Sequence, residues 1–217
     1  MARDESTAQR RPRPRVRPTR VQTKATLIKA ARRVFAERGY GHATVDEIAE
    51  AAGLTKGAVY SNFGGKAELF YALMRERVEE RLDLVADAAG TIRGNLDQVT
   101  VAVGGLLKEL MMTQREWQIM FVEFWAVAAH DHRLQESFAI QRRDARARIG
   151  KIIQNVADEL GIETEVPSEE IAAILLGLAN GVAMEQIADP EQLDPDLLTK
   201  AMRMMFRGAG ISSSPKK

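Results

Sequence analysis

An all-α chain is predicted from three observations. Apolar residues recur at three- and four-residue spacing along most of the sequence, the period of a helix with one buried face. No stretch alternates apolar and polar residues like a half-buried strand, and no segment repeats another. Capping residues and glycine stops cut the pattern into about nine pieces. With 217 residues, 45% apolar and 28% charged, the chain can build a substantial core. The absence of cysteine removes disulfides and thiolate metal sites. No run approaches the roughly 18 to 20 apolar residues of a membrane span. The basic start is followed by polar residues and prolines, not by the apolar segment of a secretory signal. A cytoplasmic protein with no membrane partner is expected.

The formal net charge of +1 hides an asymmetry. Residues 1–66 hold 14 Lys/Arg against 6 Asp/Glu, whereas residues 67–217 hold 17 against 24. A basic first third on a mildly acidic body fits a protein that meets a polyanion at one end. Residues 1–19 contain RRPRPRVRP, in which proline forbids both helix and ladder. They read as an extended arginine arm, either reaching phosphate or a minor groove or simply solubilising the chain.

The first helix is expected from about Thr23 to Arg38, with Leu27, Ala31, Val34 and Phe35 on one face and Gly39 as its stop. Thr44 and Glu47 form a capping box for a second short helix. Gly53 permits a tight turn, and Thr55 caps a third helix from Lys56 to about Phe63. That third helix contains Gly57 and β-branched Val59, so packing must hold it. Ala58 and Val59 are its anchors, leaving Lys56, Gly57, Tyr60, Ser61 and Asn62 outward. Two short helices joined by a tight turn, the second with a polar outer face, read as a DNA-binding helix-turn-helix.

The fourth helix should run from Lys66 to about Ala88, burying Leu69, Phe70, Leu73, Met74, Val78 and Leu82. Asn95 and Gln98 cap a fifth helix that ends near Met112. The sixth, Arg115 to Ala129, is apolar around most of its circumference and should be central. Glu123 on that helix reads as solvent-facing or as a polar handle inside a cavity. A long seventh helix spans about Asp131 to Leu160 and stops at Gly161. Ser168 is expected to cap the eighth, which reaches Ala188. Asp194 and Pro195 read as cap and first position of the ninth, which Gly208 ends.

Residues 23–75 resemble the DNA-binding domain of the TetR family of bacterial transcriptional regulators. The resemblance rests on Ala30, Ala31, Phe35 and Gly39, then Thr44, the Ala52-Gly53-Leu54 turn, and Tyr60, Phe63, Lys66 and Leu69 in order. Gly65 departs from the Ser or Asp usual before the fourth helix, a change glycine tolerates as a cap. The family implies an N-terminal helix-turn-helix domain (residues 20–66) and a C-terminal bundle for effector binding and dimerisation (residues 67–211). Residues 212–217 are expected to be a flexible tail.

By position and by resemblance, Lys56, the Gly57 backbone and Ser61 are candidates for base edges. Thr44, Tyr60, Asn62 and Lys66 are candidates for phosphate, and Thr55 and Arg20 are further DNA-binding candidates. The family encloses its effector between the fourth and eighth helices. Met111, Trp117, Met120, Phe121, Phe124, Trp125, Phe138, Gln141 and Asn180 are the corresponding candidates here, pointing to a small, largely apolar effector. Ala173, Gly177 and Gly181 make a stripe that admits a close helix. With Met184, Leu198, Met202 and Met205 they are the expected homodimer interface, built from the last two helices. His130-Asp131-His132 is better read as a helix cap than as a metal site. No catalytic motif is present and no cofactor is implied. The reading is a homodimeric repressor released from a palindromic operator by its effector. Its rivals are an activator, a regulator without a ligand, and an all-α ligand-binding protein with a vestigial helix-turn-helix.

Overall fold

The computed structural model describes residues 19–92 and 94–208. The arginine arm, except Thr19, and the tail from residue 209 lie outside the described residues. Nine helices and no strand are found among those described: α1 (Arg20–His42), α2 (Val45–Ala51), α3 (Lys56–Phe63), α4 (Lys66–Thr91), α5 (Leu96–Thr113), α6 (Arg115–Ala129), α7 (His132–Leu160), α8 (Ser168–Ala188) and α9 (Leu197–Gly208).

The first helix begins three residues earlier than its apolar face predicts. Thr19 accepts from the Gln22 N–H at 3.2 Å while the Gln22 side chain accepts from the Thr19 N–H, a capping box outside the apolar pattern. Regular helix stops at Gly39, whose φ of 71° breaks the run before a final turn to His42. The expected boxes at Thr44/Glu47 and Asn95/Gln98 both form. At Ser168 the expectation fails: Pro167 takes the cap position and no side chain caps α8. Asp194 is also displaced as a cap. Its carboxylate accepts from the Asp196 N–H at 2.8 Å in a turn, and helix geometry starts at Leu197.

Two cores organise the molecule. The proximal core gathers Leu27, Phe35, Tyr40, Ile48, Val59, Phe70, Phe124 and Phe138, from α1 through α4 together with α6 and the start of α7. It is thus shared by the helix-turn-helix and by helices expected to belong to the bundle. The distal core is aliphatic and is built from the far half of α4 with α5, α7, α8 and α9. Polar ties lie along its rim. Arg203 binds Asp97 through Nε at 2.7 Å and Nη2 at 3.0 Å, fastening α9 to α5.

Among the described residues one helix, α8, is long and apolar enough by length and composition to cross a membrane. The sequence expectation of no such run is corrected on that point. Ile171, Ala172 and Val182 of α8 are buried in the bundle, so the helix packs as a bundle element.

Candidate nucleic-acid interface and effector cavity

The α2–turn–α3 unit is held from inside. Ile48, Ala49 and Val59 are buried, and Gly53 adopts φ 64°, a left-handed turn that a Cβ would oppose. The Leu54 N–H closes the turn on the Ala49 carbonyl at 2.9 Å. With its apolar groups turned inward, α3 presents Lys56, Gly57, Tyr60 and Ser61 to solvent, with Thr55 exposed at its start.

The exposed groups differ in how free they are. Lys56 Nζ binds Asp46 Oδ2 at 2.9 Å, and that carboxylate raises its pKa. The ion pair is fully exposed and weak. The Thr55 hydroxyl accepts from the Ala58 N–H, which leaves its own O–H free. Thr44 Oγ1 donates to Glu47 Oε2 at 2.9 Å, so its hydroxyl proton is already engaged. Ser61 and Asn62 both donate to the Ala58 carbonyl. Asn62 Oδ1 is enclosed and has no partner. Arg20 sits exposed at the first residue of α1. Gly57 is unusual. A Cβ there would meet only Thr55 Oγ1 at 3.7 Å, so nothing inside the protein demands glycine.

Lys66, expected at phosphate, is engaged inside the protein. Its Nζ donates to the carbonyls of Tyr40 at 2.9 Å, Ala43 at 3.0 Å and Gly41 at 3.4 Å, and lies 4.5 Å from the Tyr40 ring centre. An ammonium has three donors, and all three face the end of α1. Partial burial lowers its pKa. In this state Lys66 ties α4 to α1 and has no N–H left for phosphate.

Beside that tie lies a contact the sequence reading left open. Glu123 Oε2 on α6 accepts from the Tyr40 N–H at 2.7 Å. A Cβ on Gly39 would fall 2.4 Å from the same oxygen, so glycine makes room for the carboxylate. Glu123 is therefore neither solvent-facing nor in a cavity. It pins the bundle to the end of α1. Glycine at a positive φ was legible as a stop; its partner 84 positions away was not.

The bundle cavity lies elsewhere than expected. It has a volume of about 170 Å³ and sits in the distal core, between Val85 and Ala89 of α4, Val99 and Val103 of α5, Ile152 and Val156 of α7, Leu176 of α8 and Phe206 of α9. Thr100 and Thr164 are its only polar lining residues. None of the nine candidate ligand residues lines it. Met120, Phe124 and Phe138 are buried in the proximal core, where Trp117 and Phe121 pack against them. Phe124 stacks on Phe70 at 4.3 Å and meets Tyr40, Tyr71 and Phe138 edge-on. Trp125 is 39% exposed and lies under Arg142, and Phe121 and Gln141 line a groove between α4 and α7 that also holds charged side chains. Met111 is buried in the distal core and its carbonyl accepts from Gln118. Asn180 lies one turn beyond the lining of the cavity. The aromatic stripe on α6 is core because it meets aromatic residues of α1 and α4, which spacing alone cannot reveal.

The expected interface positions divide in two. Ala173, Gly177, Gly181 and Met184 lie exposed along one stripe of α8, joined by Ile174 at 52% exposure, and a Cβ on either glycine would meet nothing within 4 Å. Leu198 and Met202 are corrected: both are buried in their own bundle and line the cavity. They follow one face of α9 at four-residue spacing, while Met204 projects at 74% exposure and Met205 is half-buried.

Residues 27–73 match the family of bacterial regulatory proteins of tetR type, and residues 96–208 match the C-terminal domain of BetI-type transcriptional repressors. The chain is 25% identical over 197 residues to the HTH-type transcriptional activator FasR of Mycolicibacterium smegmatis, covering 90% of this chain and 86% of that protein. It is 26% identical over 183 residues to the HTH-type transcriptional repressor Rv1474c of Mycobacterium tuberculosis, covering 82% and 91%. Among solved structures, a Rhodococcus transcriptional regulator superposes with a TM-score of 0.67 at 27% identity, covering 87% of this chain and 98% of that one. FadR of Bacillus subtilis, solved in complex with stearoyl-CoA, shares the fold with a TM-score of 0.66 at 16% identity, covering 88% and 99%. An exposed polar helix on a buried helix-turn-helix, an all-α body and matches across both halves lead to one conclusion: this chain belongs to the TetR family of helix-turn-helix transcriptional regulators.

Proposed function

We propose that the protein is a homodimeric repressor that binds a near-palindromic operator in the cytoplasm, performs no catalysis, and is released by a small apolar effector. The observation that carries the DNA reading is the outer face of α3. Lys56, Gly57, Tyr60 and Ser61 stand clear of the core around a glycine that internal packing does not require. A helical glycine lowers stability by roughly 0.5–1 kcal/mol against alanine. It is worth that loss where a nucleic-acid surface must come close. Lys56 reaches a base edge once it leaves Asp46, and Thr55, Tyr60 and Arg20 hold phosphate.

Dimerisation is supported by α8. Of its side chains only Ile171, Ala172 and Val182 are buried, and its exposed stripe carries two glycines. Pairing α8 with its copy across a two-fold axis covers that face and sets two α3 helices on one side. The effector reading is supported by the apolar cavity against α4, the helix that continues from the DNA-binding domain. Glu123 and Lys66 carry a shift of α4 or α6 to the end of α1.

The test uses fluorescence anisotropy with upstream intergenic DNA and a scrambled control across a salt series. A repressor of this kind prefers the intergenic fragment, and Lys56→Ala loses that preference more than general affinity. Equal losses on both DNAs would reassign Lys56 to phosphate. Sedimentation as a monomer at micromolar concentration would sink the dimer. The activator reading keeps the same interface, and FasR, named an activator, favours keeping it as the second reading. A transcription assay that shows stimulation when the site is filled would select it.

A further inference from the structure

Two nitrogen donors inside the bundle are enclosed and have no acceptor: Nε of Arg81 and Nδ2 of Asn180. Arg81 is a mostly buried cation. Its one hydrogen bond runs from Nη2 to Gln114 Oε1 at 2.5 Å, and no carboxylate pairs with it among the described residues. Burial, and then the nearby Arg77, push its pKa down to about 10, so it stays charged at neutral pH. An uncompensated charge in such a place is expensive, and proteins remove it unless it meets something.

Helix register places these donors at one end of the apolar cavity. Arg81, Val85 and Ala89 follow one stripe of α4, and the last two line the cavity. Asn180 follows the lining residue Leu176 by one turn of α8, and Gln114 follows Leu107 by two turns of α5. Arg115 reaches the carbonyls of Gln186 and Ile187, which sets the end of α8 beside the start of α6. Arg81 and Gln114, bonded to each other, and Asn180 on α8 therefore lie just beyond the cavity lining, on the side nearer the DNA-binding domain. Below them the walls are aliphatic, and the volume of about 170 Å³ exceeds that of cavities known to hold a benzene ring, ~150 Å³.

We infer that the effector is an amphipathic carboxylate whose apolar tail fills the distal cavity and whose anionic head is received by Arg81 and Asn180. This rests on the reading of the cavity as the effector site and adds its charge. A cationic ligand would meet a guanidinium with no carboxylate to offset it. A wholly apolar ligand would leave Arg81 as exposed to its own charge as before. Arg81 lies in the middle of α4, so a head group bound there pulls on the helix that carries the DNA-binding domain.

The test compares octanoate, 1-octanol and methyl octanoate on the full-length wild-type protein at neutral pH by titration calorimetry. Octanoate is expected to bind about 10-fold more tightly than either neutral analogue, the scale of one charge-assisted hydrogen bond. Arg81→Met, which keeps the apolar stem, erases that preference while leaving 1-octanol affinity unchanged. Wild-type protein that binds 1-octanol as tightly as octanoate overturns the carboxylate inference and leaves the cavity as an effector site. Failure of all three to bind overturns both. The wild-type comparison needs no variant, so a poorly folding Arg81→Met does not rescue the idea.

Discussion

The proximal and distal cores are filled by different side chains, and their packing differs accordingly. Around Phe70 and Phe124 at least six aromatic rings interlock between α1, α4, α6 and α7. Around Val85 and Leu198 the walls are Val, Leu, Ile and Ala, and a cavity of about 170 Å³ remains. A stiff aromatic junction that spans both functional parts transmits a displacement. A looser aliphatic region leaves space between its helices. The same chain thus has one part packed ring on ring and one part with space left in it.

The largest effect is expected where the rings meet. Phe124→Ala should cost roughly 3–5 kcal/mol in chemical unfolding, because its cavity would be walled by rigid rings from four helices. A loss no larger than that of an aliphatic truncation in the distal core would break the contrast. The next effect tests the junction. Gly39→Ala should cost about 2–3 kcal/mol, from a residue forced to φ 71° and from displacing Glu123 off the Tyr40 N–H. In a Glu123→Ala background the same substitution should cost only about 1–2 kcal/mol, the backbone part alone. Identical costs in both backgrounds would show that Gly39 and Glu123 are not coupled.

In the distal core the expected stability effect shrinks. Ala179→Leu grows into empty space, so it should change stability by less than about 1 kcal/mol while abolishing octanoate binding. A cost typical of overpacking would mean that the region is as tight as the proximal core. The smallest stability effect lies outside both. Gly57→Ala should stabilise the protein by about 0.5–1 kcal/mol and weaken operator binding at least about 10-fold. Unchanged DNA affinity would place the glycine away from the DNA surface.

Much of this was legible along the chain because it is local. The caps at Thr44, Thr55 and Asn95 and the left-handed glycines at 39, 53 and 161 act on neighbours within four residues, and their residue types say so. Exceptions were local too. Thr19 and Gln22 hide a helix start outside the apolar face, and Pro167 displaces Ser168 from its cap. The site was less legible. The α3 surface could be read because the buried anchors there are few. The cavity could not, since an aromatic stripe with helical spacing looks the same whether it faces a ligand or another ring. Lys66 likewise carries a charge whose partner, the end of α1, is invisible until the chain folds back.

The sequence by itself determined helices, their ends, the helix-turn-helix and the polar face of α3, because period, capping and turn chemistry are properties of short segments. Only the tertiary structure decided that Phe124 is junction and not pocket, that Leu198 and Met202 line the cavity of their own bundle, and that Arg81 is a mostly buried charge with no carboxylate beside it among the described residues. Those depend on which helix faces which, and contacts between helices far apart in the chain are chosen by packing that no local pattern encodes.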